Sequence, residues 1–266
     1  MQPIALNAAE ISGWVTRLWW PVLRIGGFVI TAPIVSSSMV PGRIKILLTV
    51  GLAFLFSPLI SVPAGLSIFS AAGLFAAVQE LLIGVAIGMV VQLAFEALTF
   101  AGQTISMTMG LGFATLVDPQ RGAQTTVVGQ MFTVFATLTY LAVNGHLVLF
   151  GALADSFQSL PIGGANVNGD FLWSVATWGG RIFETGLLIS LPAVVSLLIV
   201  NLALGVVTRA APQLNLFGVG FPITILGGYF VLLVGLDGLM VGISSAIHGA
   251  LTAVVELVSA RAAGVP

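Results

Sequence analysis

Charged residues are so sparse that long stretches of the chain contain only apolar and small uncharged side chains. No Asp, Glu, Lys or Arg occurs from Ile46 to Gln79, and this run is too long for one membrane span. Pro58 and Pro63 interrupt it, and proline is poorly tolerated inside a helix because it lacks an N–H and clashes with the preceding turn. The run therefore predicts a helical hairpin.

The next segment predicts one very long helix. No proline occurs between Pro63 and Pro119, and the residues from Ile68 to Met109 are mostly apolar. At 1.5 Å per residue this helix would be about 63 Å long, whereas the hydrocarbon core of a bilayer is about 30 Å thick. The helix must therefore break, turn back or project beyond a bilayer.

The remaining apolar runs predict further helices and an all-α fold, because lipid requires every backbone N–H and C=O group to be paired internally. A polar loop is expected at 155–170. The predicted helices cover residues 11–31, 127–153, 171–208 with a kink at Pro192, and a hairpin of 223–234 and 239–262 that turns at 235–238.

The first of these helices carries an ordered polar stripe. Glu10, Arg17 and Arg24 recur every seven residues, which places them along one side of a helix. Two interpretations remain open: an interfacial helix with snorkelling arginines, and a stripe that faces a partner subunit.

Composition decides what surrounds these helices. The 266 residues include eight Lys and Arg and nine Asp and Glu, against 58% hydrophobic residues and a mean hydropathy of +1.13. A soluble domain carries about a quarter charged residues, so the surroundings must be largely lipid or other subunits. A net charge of −1 offers no basic surface for nucleic acid, and we expect no nucleic-acid partner.

Recognisable catalytic chemistry is missing from the sequence. Cysteine is absent, which excludes disulfides, thiolate metal sites and thiol nucleophiles. There is no phosphate-binding P-loop or dinucleotide fingerprint. His146 and His248 lie far apart in the sequence, and each is expected to be a structural, hydrogen-bonded histidine. We therefore predict a protein that is not an enzyme and holds no metal or cofactor.

A ridge of small and polar residues runs along the long predicted helix. Its members are spaced four residues apart, which aligns them on one face, and they are Glu80, Gly84, Gly88, Gln92 and Glu96. The glycines let another helix approach closely, and the polar groups can bond across the contact. Glu80 is favoured as a contact between subunits; a proton carrier is the alternative, since a carboxylate in an apolar helix must be paired, protonated or wet.

The stretch from Gly110 to Gln130 is rich in turn residues but also in small and apolar ones, which is unusual for a solvated loop. Non-helical backbone beside membrane segments is tolerated where protein or a water-filled cavity covers it. A gate or plug in a pore fits this composition.

Several motifs together resemble the FliR family of flagellar biosynthetic proteins. The most specific is the connector Arg209-Ala-Ala-Pro-Gln-Leu-Asn-Leu-Phe-Gly-Val-Gly-Phe-Pro222. The other matching pieces lie in the same order along nearly the whole chain: Thr31-Ala-Pro-Ile34, Pro41-x-Arg43-x-Lys45, Gln79-Glu80 with Gly84, Met109-Gly-Leu-x-Phe-Ala-Thr-x-Val-Asp-Pro119, Asn144-Gly-His-Leu147 and Leu160-Pro-Ile-Gly163.

This resemblance implies a core subunit of the flagellar type III export gate, located in the bacterial inner membrane at the flagellar basal body. Its implied partners are FliP and FliQ homologues, an FlhB-type export switch protein, unfolded flagellar export substrates and membrane lipid. The fold implied is a single domain of hydrophobic helical hairpins over residues 1–266. A FliP-like part would cover 1–170, with a pore loop at 106–126, and a FliQ-like part would cover 171–266.

The resemblance also implies roles for particular residues. The plug of the pore would be formed by Gly110, Leu111, Gly112, Phe113, Ala114, Thr115, Leu116, Val117, Asp118 and Pro119. Helix packing and assembly would involve Glu80, Gly84, Gly88, Gln92, Arg209, Pro212, Gln213, Asn215, Phe217 and Pro222. The alternative function is a proton-coupled secondary transporter of small molecules that uses Glu80, for which inverted repeats and broken helices are expected.

Overall fold

The structure is a computed structural model that describes residues 8–63, 66–112, 126–164, 169–211 and 220–259, with side chains from Arg17 onward except those of Leu59, Asp170 and Ile182. Its described residues form helices and connecting segments, with no β-strand among them. The helices are α1 (Ala8–Thr31), α2 (Gly42–Phe56), α3 (Ala71–Thr108), α4 (Val127–Ala142), α5 (Gly145–Ser159), α6 (Gly169–Ala210), α7 (Phe221–Val234) and α8 (Leu236–Ser259), with a short 3-10 turn at Ser57–Leu59. The predicted all-α class is confirmed.

The chain forms two compact units, each assembled from separate stretches of sequence. The first unit comprises Met1–Gln92, Asn144–Thr177 and Ala250–Pro266, and the second comprises Leu93–Val143 and Trp178–Gly249. The unit boundaries reflect only how densely the residues pack within each unit. The FliP-like and FliQ-like parts expected from the resemblance therefore stay a prediction.

Most of the predicted helix limits hold because proline and glycine act locally. α2 ends at Phe56, directly before the 3-10 turn that contains Pro58. α3 is one continuous helix of 38 residues, about 57 Å long, close to the predicted 68–109. Gly235 alone separates α7 from α8, which is a tighter turn than the predicted 235–238.

The prediction of one helix over 127–153 is wrong. The helix breaks between Ala142 and Gly145, where Asn144 adopts the left-handed conformation with φ 55°. Asparagine is one of the few residues that tolerate this region, because its short polar side chain can bond locally. α5 then continues to Ser159, so the predicted loop at 155–170 begins five residues later than expected.

Within the first unit, a hydrophobic cluster packs α1 against the hairpin connection. Its buried centre consists of Trp20, Ala76 and Ile162. The side chains packed around this centre are half-buried, and they are Leu23, Ile60, Val62, Leu66, Ile68 and Ala77. The extended segment after Pro58 is thus held in place by apolar burial.

The second unit combines aromatic and polar contacts between helices. The ring of Phe95 meets that of Tyr140 edge-on, with centroids 5.6 Å apart. Phe100 and Phe183 make a similar contact at 5.6 Å. The hydroxyl groups of Thr99 and Thr133 are 2.9 Å apart. Such hydroxyl contacts join apolar helices that have few other polar groups.

Three of the described helices are long and apolar enough to cross a membrane: Ala71–Thr108, Phe171–Ala210 and Leu236–Ser259. A fourth candidate exists if the bent pair α4 and α5 counts as one broken span. This count rests on length and composition. It confirms the predicted set of long apolar helices.

Candidate functional site

A fully buried arginine forms the polar centre of the first unit. Arg24 of α1 has no exposed side-chain surface, and its guanidinium lies among α1, α3 and α5. A guanidinium carries five N–H donors in a rigid plane. In this unit each of its three nitrogen atoms reaches at least one acceptor.

Glu80 of α3 supplies a two-bond carboxylate partner. Arg24 Nε donates to Glu80 Oε2 over 2.7 Å, and an Nη2 N–H donates to Glu80 Oε1 over 2.9 Å. Both side chains are completely buried. This parallel geometry is the strong form of an arginine–carboxylate pair, and it is needed here because two buried charges lose their hydration.

The carboxyl end of α5 accepts the remaining donors. Arg24 Nη1 donates to the carbonyl of Ser156 over 2.6 Å and to its Oγ over 3.2 Å, and Nη2 donates to the carbonyl of Leu160 over 2.7 Å. The last carbonyls of a helix have no partner within the helix and carry partial negative charge. Arg24 therefore caps α5 while it pairs with α3, and its Cζ lies 4.4 Å from the ring centroid of Phe157.

Glycine residues allow α1 and α3 to approach closely beside this ion pair. A Cβ atom at Gly84 would overlap the carbonyl oxygen of Arg24, and one at Gly88 would overlap the Thr31 hydroxyl. On the opposite helix, a Cβ at Gly27 would lie 2.5 Å from the carbonyl oxygen of Leu81. Each helix thus places backbone against backbone, which only glycine permits.

A threonine hydroxyl adds a polar bond across the same crossing. Thr31 Oγ1 lies 3.1 Å from the carbonyl of Val85 on α3 and 3.0 Å from the carbonyl of Gly27 on its own helix. The ridge predicted at Glu80, Gly84 and Gly88 is therefore a contact face for α1 of the same chain.

Two expectations for this region require correction. Glu80 was expected to make a contact between subunits, but its carboxylate is buried and bonded to Arg24 of its own chain. The seven-residue stripe was interpreted either as an interfacial helix with snorkelling arginines or as a stripe that faces a partner subunit, and Arg24 fits neither, because it is fully buried within its own chain whereas Arg17 is exposed. The stripe divides because α1 runs from an open surface into the core; the side chain of Glu10 lies outside the described residues.

The geometry is suited to structure and poorly suited to proton transfer. Both carboxylate oxygens of Glu80 are engaged, and neither partner of the ion pair has exposed surface. A proton carrier needs alternating access to water. Among the described residues no cluster of three metal-ligating side chains occurs. Of the two histidines expected to be hydrogen-bonded, His248 makes a local bond of 2.8 Å to the carbonyl of Ser244, whereas Nδ1 of His146 is buried with no partner among the described residues.

The start of the predicted pore loop lies in the second unit. α3 ends in a Schellman motif: the N–H of Leu111 donates to the carbonyl of Ser106 over 3.1 Å, and the N–H of Gly110 donates to that of Met107 over 3.0 Å. Gly110 has φ 84°, and a Cβ there would lie 2.9 Å from the ring of Phe221. The chain must therefore turn sharply at Gly110.

The rest of the predicted plug lies outside the described residues. Gly110, Leu111 and Gly112 are described and half-buried, whereas Phe113, Ala114, Thr115, Leu116, Val117, Asp118 and Pro119 are not described. In the predicted connector, Arg209 is exposed in the last turn of α6 and Pro222 is exposed in the first turn of α7. Pro212, Gln213, Asn215 and Phe217 also lie outside the described residues.

The two helices that flank this connector carry a polar link to α3. The Nδ2 of Asn201 donates to the carbonyl of Thr108 over 3.2 Å, and the hydroxyl of Thr224 donates to Oδ1 of Asn201 over 3.3 Å. Asn201 thus holds α6 and α7 at the end of α3, where the predicted pore loop begins. An amide in an apolar helix can bond to the backbone or side chains of a neighbouring helix, as Asn201 does.

Comparison with known proteins identifies the family. The family described as bacterial export proteins, family 1, matches residues 15–250. The flagellar biosynthetic protein FliR of Escherichia coli (strain K12) is 42% identical over 226 residues, which cover 85% of this chain and 86% of that protein. The chain belongs to the FliR family of flagellar biosynthetic proteins. Its membership supports a membrane-associated component of the flagellar export apparatus.

Other FliR proteins are similar over the same extent. FliR of Pectobacterium carotovorum subsp. carotovorum is 40% identical over 229 residues, which cover 86% of this chain and 87% of that protein. FliR of Bacillus subtilis (strain 168) is 35% identical over 215 residues, covering 80% and 83%. The chain therefore matches these relatives over most of their length.

Sequence reasoning missed Arg24, Ser156 and Leu160 as members of one site. Arg24 was visible only as part of a polar stripe, and Ser156 and Leu160 were assigned to a loop. A carboxylate in an apolar helix, such as Glu80, needs a cationic partner unless it is protonated or wet, and Arg24 lies in the first predicted helix together with Arg17. The need of Glu80 for a cationic partner was the signal available in the sequence. No sequence feature indicated that the carbonyl groups at the end of α5 would accept hydrogen bonds from Arg24.

The buried pair yields a prediction for stability. Replacing Arg24 with Gln should lower the free energy of unfolding by about 3–5 kcal/mol, because it leaves the Glu80 carboxylate buried without its cation. The double variant Arg24→Met with Glu80→Met should be less destabilised than Arg24→Gln alone. Thermal denaturation of the full chain with its partners in mild detergent measures both; a double variant at least as destabilised as Arg24→Gln would contradict a coupled pair.

The glycine crossing yields a second prediction. Gly84→Ala should reduce the yield of folded protein several-fold, because its methyl group would overlap the Arg24 backbone. Gly51→Ala is the matched control: Gly51 is exposed in α2 with open space around it, and alanine favours a helix by up to about 1 kcal/mol. Size-exclusion yield and melting temperature report both, and equal behaviour of the two variants would refute the close contact.

Proposed function

We propose that the chain is a core subunit of the flagellar type III export gate and forms, with FliP and FliQ homologues, the pore through which unfolded flagellar subunits leave the cell. The carrying observation is its family membership over residues 15–250. On this proposal it acts by assembly and by lining a path, and it catalyses no reaction.

The exposed apolar surface of α6 supports a role in assembly. Only 17% of its most apolar window is buried, compared with 56% for α3. The exposed side chains include Leu198, Ile199 and Leu202, which are 55–71% exposed. A surface of this kind must be covered by lipid or by other chains.

A groove in the second unit favours a protein helix as one of the covering elements. It has a volume of about 580 Å³ and lies among α6, α7 and α8, where Pro192, Phe230 and Leu239 contribute to its walls. Gly238 and Gly242 lie along one side, and a Cβ at Gly238 would meet open space. Small residues let a second helix approach closely and gain dispersion contacts, so we assign this groove to a helix of a FliP or FliQ homologue.

The pore loop fits the same proposal. Gly110 turns the chain at the end of α3, and the motif that follows resembles the plug of the family. We propose that residues 110–119 close the path when no substrate is present. The FlhB-type switch protein and the position in the inner membrane at the basal body belong to the proposal as well.

The assembly prediction is tested by capture. The tagged chain, co-expressed with the FliP and FliQ homologues of its organism, should retain both in mild detergent and should aggregate when expressed alone. Gly238→Leu should reduce the captured partners about tenfold by filling the groove, whereas Gly51→Leu, which adds the same side chain outside the groove, should not. A stable chain that captures neither partner would rule out the proposed function.

The plug prediction is tested in the assembled complex. Deleting residues 110–122 should raise the passage of ions and small solutes through reconstituted complexes at least tenfold, because the narrowest barrier is removed, while capture of partners persists. A variant that replaces the same residues with an equally long Gly/Ser linker separates loop length from loop packing. Unchanged permeability in both variants would overturn the plug assignment.

A further inference from the structure

An open cleft in the first unit is not accounted for by the export path. It has a volume of about 620 Å³ and lies beside α1, where Arg17 and Leu18 contribute to its lining. The opposite side is formed by Phe54 of α2 and by residues of the segment that follows it, namely Ser57, Pro58, Ile60, Ser61 and Val62. The cluster around Trp20 holds this segment in place through Ile60 and Val62.

The polar groups of the cleft are hydrogen-bond donors that remain available. Arg17 is exposed, and in the part of the chain that the structure describes its guanidinium makes no salt bridge or hydrogen bond. The hydroxyl groups of Ser57 and Ser61 likewise make no hydrogen bond to a described residue. Of the described residues that line the cleft, Arg17 is the charged one.

The remaining lining is apolar and continues along α2. Phe54 is 63% exposed, and Leu47 and Val50 are exposed at spacings of seven and four residues before it. This spacing places the three side chains on one face of the helix. This apolar face extends about 10 Å along α2 from the cleft. The cleft, with its arginine and serine hydroxyls, is therefore continuous with an apolar strip on the surface of α2.

We propose that this cleft binds the headgroup of an anionic phospholipid. The phosphodiester oxygens accept hydrogen bonds from Arg17, Ser57 and Ser61, and an acyl chain lies along Phe54, Val50 and Leu47. Arginine matches phosphate oxygens in geometry and charge. A zwitterionic headgroup adds a second cation beside Arg17, and none of the described residues of the lining has a carboxylate to receive it; the cleft therefore prefers lipids with a net negative charge.

The test compares lipid retention by the full chain, purified with its partners, in native mass spectrometry. Phosphatidylglycerol should be retained at least tenfold more than phosphatidylcholine. Arg17→Gln should abolish this preference, Arg17→Lys should keep part of it, and Ser57→Ala with Ser61→Ala should reduce it several-fold. Arg43→Gln, which removes an exposed arginine at the other end of α2, should leave the preference unchanged.

Each contrary outcome has a distinct meaning. An unchanged preference in Arg17→Gln, or an equal loss in Arg43→Gln, would overturn the site in favour of general charge attraction. Displacement of the lipid by millimolar inorganic phosphate would show that the cleft binds phosphate without contacts to an acyl chain, which would contradict a lipid site. Loss of a captured partner without loss of lipid would show that Arg17 faces protein. The proposal does not rest on the pore, because capture of FliP and FliQ homologues is measured separately in the same preparations.

Discussion

The complete hydrogen bonding of Arg24 is the constraint on which the first unit depends. A buried guanidinium is tolerable only when its N–H donors are met and its charge is balanced. Glu80 provides the charge, and the carboxyl end of α5 provides the remaining acceptors. Because the acceptors come from α3 and from the end of α5, this one side chain of α1 specifies how the three helices pack. Misplacement of one helix would leave a charge or carbonyl unpaired in an apolar interior.

The glycines make this arrangement possible. Gly84 and Gly27 bring the backbones of α3 and α1 into contact, which leaves Arg24 and Glu80 one turn away at the distance of a two-bond ion pair. A larger residue at the crossing would separate the helices and lengthen these bonds. The ion pair and the glycines therefore act together. The glycines set the distance between α1 and α3, and the ion pair sets the register of the two helices along their axes.

The outer surface of the helices differs from this interior, because it exposes many large apolar side chains. The chain carries few charges, and among the described residues Arg24 and Glu80 pair with each other in the interior, whereas many exposed side chains of the helices are apolar. That surface suits a membrane-associated member of an assembly better than an isolated monomer. Isolated polar groups on such apolar helices indicate specific contacts. Arg17 lies beside an open cleft, and Asn201 bonds to the end of α3.

The sequence by itself determined the helical class, the long α3, the break at Pro58 and the family, because proline, apolar run length and ordered motifs act locally or over the whole chain. It did not reveal the break at Asn144, since a left-handed residue follows from local geometry that many sequences allow. Only the tertiary structure decided that Glu80 meets Arg24 and the end of α5. Periodicity shows which side of a helix a residue occupies, but the partner on that side is set by packing between helices that lie far apart in the sequence.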